Sequence, residues 1–531
     1  MPAAAAPARR QVAGRAIVAL VLVVVALSAV VRLVNLDVFP TLVFDEHYYV
    51  HDAGSIVHGR IGPRRPSPWK PGDGLSLAHP PLGTLSIAAG ILTLGDGPWG
   101  WRVPSAIAGT LLIALVYPLA RRLRLRPRWA LAALLLAASD TMLIVESRIG
   151  VLDPFVALWS AVCIYCALRY VQSGRPARWL VLTGASGGLA LASKWSGALA
   201  LAAAIAIVAV DWARERRARS AAGGTGEPGA VEDDETGGAG EAAGFAGRLA
   251  RAAACLVALP LGVYVASYAD YFASGHSLRQ WLHLQGYMAT FNWNVAGSSS
   301  MSSRPLTWIF DATPIWYRWA ETPHGVLGMI AIGNPLLWWG SIAAFVGLLW
   351  LAWKRRDAGL AVTPLLVAIL YLPWLATSRQ SYIYYLTPAI PFMAIMVAAA
   401  LARLAGPTPL RGRWAAGFFV AGAVIMGVAA GGTVAWRLAA LAALIAVGLA
   451  VAIAGRRHND PAARSGDPAP RAGGPAPRSG DPAPRAGAAA LAAWLYTGAV
   501  AGLAVAWLPF LVSYGTSFGY YERLAWLTTW R

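Results

Sequence analysis

Long apolar runs of about 20 residues, separated by short basic loops, recur through this chain and limit what it can fold into. Such a run matches the thickness of the hydrocarbon layer when wound as one helix. Inside a bilayer every backbone polar group must be satisfied within the protein, which leaves helices as the spanning element for runs of this length. The chain therefore reads as an all-α polytopic membrane protein. Spans are expected at about 16–34, 102–120, 129–147, 152–170, 179–194, 196–211, 251–270, 334–353, 360–376, 385–404, 414–432, 436–454 and 489–512, which makes 13. Dropping one hairpin, either 179–211 or 414–454, gives 11.

The loops support the count. Five arginines lie between Arg121 and Arg128, and Arg169 to Arg178, Lys354 to Arg356, Arg403 to Arg413 and Arg456-Arg457 are also basic. Starting from a cytoplasmic N-terminus carrying Arg9, Arg10 and Arg15, each of these loops falls inside, as the positive-inside rule requires. The net charge of +19 is thereby accounted for by membrane orientation, and no nucleic-acid partner is expected. Cys163 and Cys166 lie in one apolar helix with no second pair, so they read as core residues rather than a metal or redox motif.

The same reading divides the chain. Residues 1–15 form a cytoplasmic N-terminus, and 16–212 a membrane core with an outer loop at 36–98. Residues 213–250 form a disordered cytoplasmic insertion rich in Gly, Ala and acids. A second membrane region, 251–454, carries an aromatic-rich outer loop at 271–333. Residues 455–487 hold a disordered repeat whose units are Arg464–Pro470, Arg471–Pro477 and Arg478–Pro484. The last helix and an outward tail occupy 488–531. Within the first outer loop, Leu82 to Leu94 is expected to form a helix on the membrane surface.

The unusual charges share one side of the membrane. Asp45, Glu46 and His79 lie in the first outer loop, and Glu146, Arg148 and Asp153 bracket the next outer turn. Lys194 ends the span 179–194, and Arg379 lies beside Tyr382, Tyr384 and Tyr385. Charges beside a bilayer are expensive and mark function. This set suits transfer of a sugar from a lipid phosphate. The phosphate leaving group needs cations, here Arg148, Lys194 and Arg379. The attacking hydroxyl needs a carboxylate to take its proton, here from Asp45 and Glu46. With no Gly-rich phosphate loop, a soluble sugar nucleotide is not the expected donor.

At this point a family resemblance emerges. Phe44-Asp45-Glu46-x-Tyr48-Tyr49, followed by His79-Pro80-Pro81-Leu82-Gly83, resembles the first outer loop of bacterial protein O-mannosyltransferases. Asp140-x5-Glu146-Ser147-Arg148-x4-Asp153, Ser193-Lys194-Trp195, Gly333-Asn334-Pro335 and Tyr371-Leu372-Pro373-Trp374 are similar to that family too. So are Tyr385 to Phe392 and the tail Trp526 to Trp530. The resemblance implies a GT-C glycosyltransferase that moves mannose, with inversion, from polyprenyl-phosphate-mannose to Ser or Thr of exported proteins at the outer face of a bacterial plasma membrane. The acceptors would be unfolded or translocating secreted proteins near the secretion translocon. By the same match Asp45 would be the base and Glu46 would position the donor sugar or acceptor. Arg148 would meet the lipid phosphate, joined by Lys194 and Arg379. His79, Asp153, Tyr48 and Tyr384 would support the acceptor side or the site's structure.

Two other readings share these features. A related GT-C transferase would use another lipid-linked sugar, or a lipid or glycan acceptor. A transporter would show midplane charges and paired broken helices, which the sequence lacks. No cofactor is required. His47 and His51, one helical turn apart with Glu46 and His58 nearby, have the spacing of a Zn²⁺ site, but His47 departs from the family pattern and no metal is expected.

Overall fold

The structure, a computed structural model, describes residues 5–58, 78–223, 245–294, 301–323, 325–406 and 483–530. Its helices are α1 (Ala5–Leu33), α2 (Glu46–Val57), α3 (Leu82–Leu94), α4 (Pro98–Arg122), α5 (Pro127–Ala138), α6 (Thr141–Glu146), α7 (Asp153–Gln172), α8 (Ala177–Ser193) and α9 (Ala198–Gly223). After them come α10 (Phe245–Ala266), α11 (Leu278–Asn294), α12 (Pro335–Arg355), α13 (Val362–Tyr371), α14 (Ile390–Ala405), α15 (Ala483–Leu511) and α16 (Phe518–Leu524). Among the described residues, eight helices are long and apolar enough to cross a membrane, and α3, α5 and α14 are shorter apolar helices. The expected spans 414–432 and 436–454, and most of the repeat at 455–487, lie outside the described residues.

Proline at the first turn starts α4, α5, α7 and α12, where its missing N–H would have had no partner. The expected span 129–147 is instead two helices. Asp140 stops α5 and caps α6 by accepting from the Leu143 N–H at 2.9 Å. The same carboxylate accepts from Trp338 Nε1 at 2.7 Å and from the Asn334 N–H at 3.3 Å, which ties this break to the start of α12. Asn334 in turn caps α12. The main core is one large apolar cluster, beside smaller ones, and α5, α7 and α14 are buried along most of their length, with Trp338, Trp494, Trp507 and Trp530 fully buried. All three cysteines are buried and unpaired by disulfide.

Two segments read as an insertion and a loop hold regular structure. The insertion expected at 213–250 is helical at both edges: α9 continues to Gly223 and α10 starts at Phe245. Glu215 on α9 accepts from Arg175 at 2.8 Å and from Arg248 at 2.7 Å, and these ion pairs hold the two edges together. The segment 271–333, read from the sequence only as an aromatic-rich outer loop, holds both helix and strand. After α11, strands β1 (Ile315–Thr322) and β2 (Gly325–Ala331) form an antiparallel hairpin pairing Ile315 with Ala331 and Thr322 with Gly325. Val326 also pairs with Thr516, and Trp530 Nε1 donates to the Asp311 carbonyl at 2.7 Å, so the aromatic tail is built into the core.

Candidate active site

Asp45 precedes α2 and Glu46 opens it. Successive helical positions differ by about 100° around the axis, so two adjacent carboxylates serve different neighbours. Glu46 turns inward and is fully buried. It accepts from Arg102 Nε and Nη2, each at 2.8 Å, and from the backbone N–H groups of Val43 at 2.9 Å and Gly150 at 2.8 Å. Arg102, in the first turns of α4, also donates to the carbonyls of Leu36, Phe39 and Thr41. This pair therefore fastens three pieces of chain: the link after α1, the start of α2 and the turn before α7. The four bonds of Glu46 are all to protein donors, which sets it apart from Asp45.

Asp45 faces the other way and is half-buried. Its carboxylate accepts from the Tyr384 hydroxyl at 3.1 Å. Burial raises its pKa to about 6, against the lowering effects of Lys194 and the Tyr384 hydrogen bond. Phe44, just before it, holds φ at +48°, an uncommon backbone state for a bulky residue. Its ring stacks on Tyr317 of β1 at 4.4 Å and meets Tyr384 edge-on at 5.7 Å. The hairpin thus clamps the residue that aims Asp45.

Lys194, directly after α8, is buried and bridges both oxygens of Asp153 at 3.0 and 3.1 Å. Its Nζ lies 4.6 Å from the centre of the Tyr385 ring and 5.3 Å from that of Tyr384. Glu146 is buried beside these groups and accepts from the Tyr317 hydroxyl. Its carboxylate is thus shut off from solvent. Asp153 offsets Lys194, which leaves Asp45 as the carboxylate of this group available to accept a proton.

Arg379 has neutral partners: the Asn292 side chain at 3.0 Å, the Tyr385 hydroxyl at 2.9 Å and the Gln380 carbonyl at 3.2 Å. Among the described residues no carboxylate pairs with it, so its charge is undiminished. Arg148 is different. It is fully buried and donates to the Val31 carbonyl at 2.5 Å and the Asn35 carbonyl at 3.5 Å, at the end of α1. That placement ties the turn before α7 to the end of α1. His79 lies with its ring 6.1 Å from Tyr49. Burial, then Lys194 and Arg379, hold its pKa well below the usual value, so it is neutral at pH 7. Tyr48 is half-buried at the edge of the main core. His51 lies 3.7 Å from Asp52, and among the described residues no three His, Cys, Asp or Glu side chains gather as a metal site would need.

Sequence reasoning passed over Arg102, Tyr317 and Asn292. Arg102 carried the signal that flagged Arg148, a cation at the outer end of a span. Tyr317 and Asn292 lie in the aromatic-rich stretch 271–333, whose composition does not say which side chains face inward.

The arrangement is a half-buried carboxylate, a lysine paired with Asp153 and a guanidinium bonded only to neutral groups among the described residues, gathered where α2, α7, α8 and the turn before α14 have their termini. Residues 73–273 match the family model described as dolichyl-phosphate-mannose-protein mannosyltransferase. The chain is 29% identical over 426 residues to the polyprenol-phosphate-mannose–protein mannosyltransferase of Corynebacterium glutamicum, covering 69% of this chain and 78% of that one. Its fold is similar to that in the structure of the Saccharomyces cerevisiae protein O-mannosyltransferase Pmt1-Pmt2 complex bound to the sugar donor, with a TM-score of 0.63, 12% identity, and coverage of 97% and 92%. It is also similar to ArnT from Cupriavidus metallidurans bound to undecaprenyl phosphate, with a TM-score of 0.51, 18% identity, and coverage of 91% and 77%. The chain is a multi-pass membrane glycosyltransferase of the GT-C fold, and it is similar to the protein mannosyltransferases.

Proposed function

We propose that this enzyme transfers mannose from polyprenyl-phosphate-mannose to Ser and Thr hydroxyls of exported proteins, with inversion, at the extracytoplasmic face of the bacterial plasma membrane. The observation that carries the reading is Asp45, held half-buried by Tyr384 near the buried Lys194, with a pKa of about 6. A base of that strength is mostly ionised at neutral pH and still able to hold a proton. The names of the relatives supply the donor and acceptor classes. The cytoplasmic N-terminus read from the loop charges puts the end of α1, and Asp45 with it, outside.

In this reading the acceptor hydroxyl attacks the anomeric carbon of mannose. The carbon–oxygen bond to phosphate breaks, and polyprenyl phosphate leaves with the electron pair. Asp45 accepts the hydroxyl proton as the new bond forms. Attack from the face opposite the phosphate inverts the centre. Arg379 meets the charge growing on the leaving phosphate, and Lys194, held by Asp153, keeps the field at Asp45 positive enough for the carboxylate to ionise. His79, being neutral, lines the acceptor side as a hydrogen-bonding group.

The direct test is transfer of labelled mannose from synthetic polyprenyl-phosphate-mannose to a Ser/Thr peptide by purified protein. Product with the inverted linkage supports the reading. Transfer only from a different lipid-linked sugar, or only to a lipid acceptor, would overturn it.

A further inference from the structure

Asn292 lies in the last turn of α11, half-buried, and its amide makes three contacts in different directions. The NH₂ group donates to the Ala78 carbonyl at 2.7 Å and to the Met288 carbonyl at 3.0 Å. The amide oxygen accepts from Arg379 Nη1 at 3.0 Å. Only this orientation satisfies all three, since the neighbours are two acceptors and one donor. Ala78 immediately precedes His79 and the prolines that start α3. One uncharged side chain therefore joins α11, the run that carries His79 and the turn that carries Arg379.

The residue type matters. A carboxylate at this point would fix the guanidinium equally well and would also neutralise it. An amide oxygen fixes the guanidinium and leaves its charge in place. The other partners of Arg379 are a phenol and a backbone carbonyl, so among the described residues its hydrogen-bond partners are all neutral. A cation held this way is suited to an anion arriving from outside the protein.

We propose that Asn292 is a positioning residue for donor binding: it holds Arg379 and the His79 run in register, so that an undiminished positive charge faces the phosphate of the lipid-linked sugar. The inference rests on the reading that Arg379 meets that phosphate. Tyr385 completes the arrangement, because its hydroxyl takes the second Nη of Arg379 while its ring lies against Lys194. A shift of Arg379 is thereby passed toward the ring pair beside Asp45.

The test uses the full-length protein in detergent, with polyprenyl-phosphate-mannose varied at a fixed saturating Ser/Thr peptide. Asn292→Ala should raise the donor KM about tenfold, the size of one lost hydrogen bond to a charged group, with kcat within about twofold. Asn292→Asp is nearly isosteric and should raise the donor KM at least as much, because it pairs Arg379 and repels phosphate. If Asn292→Ala folds poorly, Asn292→Asp carries the same test. In an Arg379→Gln background Asn292→Ala should add less than about twofold, since its effect passes through that guanidinium. A purely structural asparagine predicts that Asn292→Asp with a wild-type thermal midpoint also has a wild-type donor KM, and that result would overturn the proposal. So would full multiplication of the two effects in the Arg379→Gln background while Arg379→Gln alone raises the donor KM. An unchanged donor KM in Arg379→Gln alone would instead remove the reading of Arg379 on which the proposal stands.

Discussion

Glu46→Gln strands a guanidinium. In the native protein the Glu46 carboxylate accepts two Arg102 bonds at 2.8 Å and two backbone N–H bonds, with both side chains shut off from solvent. Gln keeps one acceptor oxygen and turns an NH₂ toward donors, so part of the set becomes donor against donor. Breaking a buried pair from one side costs about 3–5 kcal/mol, because the remaining charge is left uncompensated. The loss of charge-assisted hydrogen bonds is contained in that figure and is not added to it. Arg102→Gln in addition should recover only part of the loss, since the carbonyls of Leu36, Phe39 and Thr41 would then lack their donor. Unfolding of purified variants in one detergent, followed by tryptophan fluorescence, measures the stability. Transfer per folded molecule, at saturating donor, should fall less than in Asp45→Asn. A Glu46→Gln protein with wild-type stability and a selectively weakened donor affinity would refute the reasoning and return Glu46 to the substrate.

Three further outcomes follow from the geometry. The folded pKa of Asp45, about 6, lies above that of a free carboxylate, so transfer should be lost as pH falls through about 6, with about a tenth of the base form left at pH 5. The same shift means that the native state binds the extra proton between about pH 4 and 6; its stability therefore declines as pH rises through that window, and Asp45→Asn should be the more stable protein above it. Lys194→Met removes the cation that lowers the Asp45 pKa, so the acid limb of the pH–rate profile should move to higher pH; an unmoved limb would show that Lys194 does not act on Asp45. Arg148→Ala should lower the thermal midpoint and leave the donor KM of the surviving protein unchanged, as expected of a residue bonded to the α1 carbonyls; a raised donor KM at normal stability would restore it to the phosphate.

Much of the site could be read from the chain because membrane proteins sort their charges. Asp45, Lys194, Arg379 and His79 stood out as polar groups at the outer ends of apolar runs, and the structure brings them together with Tyr384. What the sequence could not supply was direction. Asp45 and Glu46 are adjacent and chemically alike, and the partner that separates them, Arg102, is 56 positions from Glu46. Arg148 looked like Arg379, yet one is buried against helix-end carbonyls and the other keeps its charge among neutral groups. The hairpin that delivers Tyr317 to Glu146 was hidden because strands of 8 and 7 residues in an aromatic loop have no membrane periodicity to announce them. Asp140 broke an expected span for a local reason, a cap whose second and third bonds reach Asn334 and Trp338. Each miss is a tertiary pairing, which spacing along the chain does not encode.

The central claim is that Asp45 takes the proton of the acceptor hydroxyl, and Asp45→Asn tests it most directly. Asn keeps the shape and the bond from Tyr384 while removing the base. Single-turnover transfer from labelled polyprenyl-phosphate-mannose to a Ser/Thr peptide should fall by about 10²–10⁴-fold, the usual contribution of a general base. Donor binding, measured on the same preparation, should stay within about twofold of wild type, since the proposed phosphate contact is Arg379. Retention of more than about a tenth of the wild-type rate would contradict the account, because no general-base role is that small.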